Sequence, residues 1–154
     1  VAFARVYDLR RIPPPAWLIE DSPCSWRFGD KVALVGYGPH RPVAGEQLGP
    51  NEQAVEVVFQ TRETGGSPAA YRLDGALVPR SDGDAPIPLT TTFTLNPDRG
   101  LLAKAIRTVQ LPAGRTLGDY WLQAAVIDPA TGQSLPAIHL ATSAPSDRAG
   151  RAEC

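Results

Sequence analysis

The sequence predicts an all-β domain in which two antiparallel sheets pack face to face. Apolar and polar residues alternate with a period of two along several short segments. The chain's 16 prolines and 14 glycines are spread between those segments, and no segment has a convincing amphipathic helix pattern. We therefore expect about seven or eight strands in a β-sandwich, immunoglobulin-like or jelly-roll-like, with a closed barrel as the alternative.

The N-terminal part predicts a strand followed by a proline-rich connector. Val1–Arg10 has the composition of a short strand, and Ile12–Trp17 contains three consecutive prolines. Such a run adopts a polyproline II path and is excluded from a central strand. We expect residues 1–26 to pack on a sandwich formed by 27–143, with 144–154 as a flexible tail. Val1–Arg10 is also a candidate edge strand for a homodimer.

Three later segments predict strands with well-defined faces. Lys31–Tyr37 is apolar and is bounded on both sides by turn residues. Gln53–Thr61 alternates, which places Val55, Val57 and Phe59 on one face. Leu89–Leu95 alternates as well, with Leu89, Thr91, Phe93 and Leu95 inward, and its four threonines favour a pleated surface.

The segments between and after these strands have weaker signals. Tyr71–Val78 lies among prolines and glycines and predicts one or two short edge strands. Leu101–Lys104 is compatible with one helical turn, and Ala105–Leu111 predicts a strand. We expect this region to hold the least regular part of the sandwich.

The most apolar strand is predicted at Asp119–Ile127. The turn Asp128–Gly132 follows it, with Pro129 suited to the first corner and Gly132 to the left-handed position. Gln133–Thr142 should then return as the hairpin partner, with Ile138 inward and His139 outward.

Composition excludes several classes of function. The net charge is −1 and no basic stripe is present, so we expect no nucleic-acid partner. No run of 18 apolar residues exists, so this segment should not span a membrane. The chain lacks methionine, which predicts a segment of a larger protein. Cys24 and Cys154 could form a disulfide, or each could remain a thiol.

Sequence motifs of common catalytic sites are missing, so we expect no enzymatic activity in this segment. The chain has no G-x-S-x-G, H-E-x-x-H, C-x-x-C or P-loop pattern. A hydrolase that uses loop carboxylates remains the minor alternative. Asp82 and Asp84, together with Asp74, are the only local carboxylate cluster. Calcium favours such oxygens, but Asp and Gly also dominate ordinary turns, so we expect no cofactor.

The aromatic residues have two interpretations. Trp26, Trp121 and Tyr71 could form a platform on which a sugar ring stacks. Tyr120 and Trp121 are adjacent in a predicted strand, so their side chains should point to opposite faces. Packing of these rings against the core and the connector explains them without a ligand, and we favour that interpretation over carbohydrate binding.

Three stretches together resemble a known family. They are RVYDLRRIPPP from Arg5, FGDKVALVGY from Phe28, and LPAGRTLGDYWLQAAVIDPATGQSLP from Leu111. They are similar to the C-terminal soluble domain of bacterial polytopic membrane glycosyltransferases of the protein-mannosyltransferase type. The resemblance implies a β-sandwich outside the cytoplasm, at the cell surface or in the periplasm, with the catalytic machinery in the membrane part. It predicts a non-catalytic accessory domain whose partner is a carbohydrate or the parent protein's own membrane domain.

Overall fold

Two antiparallel five-stranded sheets form the domain, which confirms the predicted sandwich. The computed structural model describes residues 23–40, 45, 47–62, 68–96, 102–139 and 151–153, except the side chains of 23–25 and 139. The first sheet has the order β6-β3-β2-β1-β9, and the second has the order β10-β7-β4-β5, with β8 paired to β7. The strand bounds are β1 Pro23–Phe28, β2 Val32–Pro39, β3 Glu52–Thr61, β4 Ala69–Pro79, β5 Ile87–Leu95, β6 Leu102–Gln110, β7 Tyr120–Asp128, β8 Gln133–Ser134, β9 Ala137–His139 and β10 Ala152–Glu153.

The core lies between the two sheets and has an aromatic centre. Phe59 of the first sheet stacks on Phe93 of the second, with ring centroids 4.3 Å apart and planes 7° from parallel. Phe28 meets Phe59 edge to face at 6.4 Å. These rings are buried, as are Val55 and Val57 on the same face of β3. Val55, Val57 and Phe59 share the inward face as predicted, but Ala54, Glu56 and Val58 on the opposite face are buried too, so β3 is covered on both faces.

Strand β4 differs from the prediction of short edge strands. It is 11 residues long and lies inside the second sheet, paired with β5 on one side and with β7 on the other. Gly75 interrupts the sequence pattern near its middle. A Cβ at Gly75 would lie 2.8 Å from the Gln123 carbonyl oxygen and 3.1 Å from that of Leu89. The glycine therefore permits a close approach of both neighbouring strands, and does not mark a break between two short ones.

Two other elements also differ from the sequence prediction. The helical turn predicted at Leu101–Lys104 is wrong, because Leu102–Gln110 is one strand in which Ala103 and Ala105 are buried. The predicted hairpin partner, Gln133–Thr142, pairs with β7 only at Gln133–Ser134. Beyond Pro136 the chain crosses to the first sheet, where Ala137–His139 pairs with β1. Ala137 is buried and Ile138 is half-buried, the reverse of the predicted alternation.

The ends of the domain extend the sheets beyond the predicted boundaries. Pro23–Phe28 is a strand of the first sheet, although the connector was expected to reach residue 26. Ala152 and Glu153 pair with β7, and Ala152 is fully buried, so this part of the predicted tail belongs to the second sheet. Val1–Arg10 and the proline-rich connector lie outside the described residues. So do Cys154 and the side chain of Cys24, and the disulfide and the two thiols both stay alternatives for these residues.

Replacement of Phe59 by alanine should destabilise the fold by about 3–5 kcal/mol, because it removes the ring that joins the two sheets and leaves a cavity. Urea unfolding of the variant and the wild type measures the difference. Ile106→Ala is the matched control, since Ile106 is 42% exposed, and should change the free energy of unfolding by less than about 0.5 kcal/mol. Equal losses in the two variants would contradict the assignment of Phe59 to the core.

Candidate functional site

A groove of about 390 Å³ opens at one end of the sandwich. It lies where β2 ends and β3 begins in the first sheet, and where β4 ends and β7 begins in the second. Antiparallel pairing brings the strand ends together within each sheet, and the packing of the two sheets brings the two pairs of ends together. The turn before β7 closes the other side. Eight residues line the groove: Tyr37, Gly38, Pro39, Gln53, Arg80, Thr116, Leu117 and Gly118.

The turn that forms one wall is held by a hydrogen bond to its own Asp119 side chain and by another to Arg80, the residue that follows β4. The Thr116 N–H donates to the Asp119 carboxylate at 2.8 Å, at the start of a short 3-10 turn over Leu117–Asp119. The Arg80 N–H donates to the Asp119 carbonyl oxygen at 2.9 Å. These bonds satisfy donors and acceptors at the end of both elements, and they fix the position of Arg80 relative to the wall.

Arg80 and Trp121 form a cation–π pair beside the groove. The guanidinium carbon of Arg80 lies 3.8 Å from the centroid of the Trp121 ring. Trp121 is 45% exposed, because its neighbours Tyr120 and Leu122 point into the core and the alternation turns Trp121 outward. Within the described part of the chain, Arg80 forms no ion pair with a carboxylate. Its charge is therefore available to an anionic or polar ligand.

Two tyrosines connect the sheets beneath the groove. The Tyr37 hydroxyl donates a hydrogen bond to the Tyr120 carbonyl oxygen at 3.1 Å. The hydroxyl of Tyr120 is itself buried and has no hydrogen-bond partner among the described residues. Burial raises the pKa of Tyr120 above its ordinary value of 10.0, and the negative charges of Asp84 and Asp119 add to the rise while Arg115 opposes it.

The chemistry of the groove suits binding. Arg80 offers guanidinium N–H donors and Thr116 a hydroxyl, while Pro39 and Leu117 supply apolar contact. Gln53 adds an amide whose Nε2 already donates to the Ala54 carbonyl oxygen at 2.8 Å. The ionisable side chains in the lining are those of Arg80 and Tyr37. A ligand in this groove would meet fixed donors and apolar surface, which is the usual composition of a small binding site.

A second polar cluster lies on the outward face of the first sheet. Glu56 is only 6% exposed although it lies opposite the core-facing residues of β3. Its carboxylate is 3.1 Å from Nδ1 of His40 and 3.4 Å from Nζ of Lys104. Buried carboxylates require such partners, so this cluster has a structural explanation. The sequence pattern predicts the outward direction of Glu56 but gives no signal of its burial.

The three predicted aromatic ligand residues are not brought together. Tyr71 is buried, and its ring lies 6.1 Å from that of Phe93, so it belongs to the core. Trp26 is half-buried in the first sheet, where its Nε1 donates to the Glu153 carbonyl oxygen at 3.0 Å. Trp121 alone is exposed beside the groove. This distribution reduces the predicted platform to one ring.

The predicted carboxylate cluster is also dispersed. Asp74 lies in the middle of β4, opposite Thr90 and Ala125 of the neighbouring strands. Asp82 is exposed in the loop after β4, while Asp84 forms an ion pair with Arg115 at 2.8 Å. In the ranges that the structure describes, no three His, Cys, Asp or Glu side chains are placed to hold a metal ion. A calcium site at these residues therefore has no geometric support.

Sequence reasoning missed three groove residues, Arg80, Gln53 and Thr116. Gln53 and Arg80 lie at or just beyond strand ends, and Thr116 lies in the turn before β7. At such positions local alternation gives no information about the neighbour across the sheet. The signal that could have found them is the order of the strands, which places the end of β2, the start of β3, the end of β4 and the start of β7 at one end of the sandwich.

No family model, curated protein or solved structure matches this chain. Among the described residues, no helix has the length and apolar character that crossing a membrane requires.

Tyr120→Phe should leave the free energy of unfolding unchanged or raise it, because the substitution removes a buried hydroxyl that lacks a partner. Tyr37→Phe is the matched control and should cost about 1 kcal/mol, since it removes the hydrogen bond to the Tyr120 carbonyl. Urea unfolding at neutral pH measures both. A larger loss for Tyr120→Phe than for Tyr37→Phe would contradict the geometry beneath the groove.

A comparison of Tyr120→Phe with the wild type tests the raised pKa of Tyr120. In the unfolded chain this phenol ionises near 10.0, whereas in the fold it retains its proton to higher pH. Above pH 10.0 the Tyr120 phenol therefore holds its proton more fully in the folded state than in the unfolded chain. The free energy of unfolding consequently falls as pH rises beyond the ordinary pKa of the phenol. Tyr120→Phe should lose less stability than the wild type in this alkaline range, as followed by unfolding at increasing pH.

Proposed function

We propose that this chain is a non-catalytic accessory domain of a larger, extracytoplasmic, membrane-anchored protein of the glycosyltransferase type. The groove and Trp121 are its contact surface for the membrane part of that protein. The observation that carries the proposal is the Arg80 guanidinium, without a carboxylate partner in the described chain, held 3.8 Å from the exposed Trp121 ring beside the groove.

The physical character of this pair supports a contact role. Trp and Arg are the residue types most enriched among those that contribute most to the binding energy at protein interfaces. Stacking on Trp121 already restricts the Arg80 side chain, so less conformational entropy is lost when a partner binds. The surrounding polar lining can satisfy a partner's hydrogen-bonding groups while Leu117 and Pro39 cover apolar surface.

The stretches that resemble the glycosyltransferase family also supply the groove. The stretch from Phe28 contributes Tyr37, and the stretch from Leu111 contributes Thr116, Leu117 and Gly118. Half of the lining therefore comes from the segments on which the resemblance depends. This overlap favours the groove as the surface by which such a domain contacts the membrane part of its own protein.

A photo-reactive amino acid at position 121 of the full-length gene product, in native membranes, tests the proposal. It should cross-link to the membrane part of the same polypeptide, as mapped by peptide mass spectrometry. The same label at Ile106, which is 42% exposed on the first sheet, is the matched control and should give few such cross-links. A gene product without membrane helices, or equal cross-linking from both positions, would overturn the proposal.

Carbohydrate binding is the second candidate, favoured by one feature of the groove. Trp121 exposes 45% of its surface and stacks on Arg80, which lines the groove together with the amide of Gln53 and the hydroxyl of Thr116. An aromatic face packs on the apolar side of a sugar ring, while amide and hydroxyl groups bond its hydroxyls. The guanidinium of Arg80 would favour sugars that carry an acidic group.

A glycan array with the purified domain tests this second candidate. If a sugar class binds, Trp121→Ala should weaken its affinity by at least about tenfold, equivalent to about 1.4 kcal/mol. Ile106→Ala should leave the affinity unchanged, and circular dichroism should show both variants folded. Absence of saturable binding, or an equal loss in both variants, would exclude a carbohydrate site at Trp121.

A further inference from the structure

The outer edge of the second sheet is formed by β5. This strand, Ile87–Leu95, pairs with β4 along its length, and the sheet order leaves it at the end. No described strand forms ladder hydrogen bonds with its other side, although β6, the end strand of the first sheet, packs against β5. Alternate residues of an edge strand direct their N–H and C=O groups away from the sheet, where they form a template for another strand.

Four other edge strands occur among the described strands, and each has a feature that hinders pairing. Strands β8, β9 and β10 have only two, three and two residues. Strand β6 is nine residues long, but it exposes Lys104 and Arg107, and charged side chains on an edge oppose pairing with a second strand. Strand β5 is also nine residues long and contains no charged residue; its Pro88, which has no N–H to donate, lies outside the segment Leu89–Leu95. It is the long, uncharged edge of the described sandwich.

The sequence of this edge is nearly the same in both directions. Leu89–Leu95 reads LTTTFTL, and reversal exchanges only Thr91 with Phe93. If two copies pair antiparallel with Thr92 opposite itself, Thr90 lies opposite Thr94 and Leu89 lies opposite Leu95. Each outward-facing pair would then be two threonines, and cross-strand threonine pairs stabilise sheets.

Exposure agrees with this arrangement. Thr90, Thr92 and Thr94 are all exposed on the outward face, whereas Leu89 and Leu95 are buried on the core face. Pairing in this register would extend both faces of the sheet without placing a leucine in water or a threonine of the outward row in the core.

We propose that β5 pairs antiparallel with β5 of a second copy of this chain, about a two-fold axis at Thr92, and so joins the two second sheets edge to edge. A second copy of the chain is the partner that fits this self-complementary sequence, because β5 itself contains no charged residue that would favour a different partner. A two-fold contact of this kind closes on itself and yields a dimer.

Sedimentation equilibrium of the purified chain with charged variants at position 92 tests the proposal. The wild type should be a concentration-dependent dimer. Thr92→Lys and Thr92→Glu, each alone, place like charges opposite each other and should raise the dimer Kd by about tenfold or more. An equal mixture of the two variants should restore dimerisation, because opposite charges then face each other.

Thr108→Lys is the matched control, since Thr108 is an exposed residue of β6, the other long edge. It should leave the dimer Kd unchanged, and thermal unfolding should show that all variants are folded. The register has its own test: Thr92→Cys should form an intermolecular disulfide under oxidation, identified by peptide mapping. Thr90→Cys should not bridge to itself, because Thr90 lies opposite Thr94 in this register.

A wild-type chain that stays monomeric up to its solubility limit would overturn the proposal. So would a dimer that resists Thr92→Lys, a dimer that is lost only with Thr108→Lys, or a mixture of the charged variants that fails to associate. These outcomes do not depend on the groove, so the proposed contact function can fail while the β5 pairing stands, and the reverse.

Discussion

The contact between Phe59 and Phe93 is the constraint on which the rest of the structure depends. These rings stack 4.3 Å apart across the two sheets and fix which face of β3 and of β5 is inward. Because side chains alternate along a strand, this one choice sends Glu56 and Thr92 outward. The buried carboxylate of Glu56 must then find His40 and Lys104 on the outer face, and β5 must present a row of threonines.

The same alternation explains why a groove and an exposed indole lie together. Tyr120 points into the core, where its carbonyl accepts a hydrogen bond from Tyr37 of the opposite sheet, so Trp121 must face outward. Arg80 follows the end of β4 and stacks on that ring. The groove is thus a consequence of two sheets meeting at their strand ends, with polar side chains supplied by the connections.

The groove and the β5 edge are separate surfaces of one domain. None of the residues that line the groove comes from β5, so a contact at one surface leaves the other accessible. Both involve the second sheet, one at a strand end and one along an edge. If both proposals hold, a dimer formed through β5 would present two grooves, and a partner with two copies of the contact would bind more tightly than either groove alone provides.

The sequence by itself determined the all-β class, the inward faces of Gln53–Thr61 and Leu89–Leu95, and the opposite directions of Tyr120 and Trp121. These features follow from period-two alternation, which neighbouring residues define. Only the tertiary structure decided that β4 is central, that Ala137–His139 joins the first sheet, and that Arg80, Gln53 and Thr116 share one groove. The reason is physical: alternation reports the face of a single strand, whereas sheet order and the meeting of strand ends depend on pairing between segments far apart in the chain.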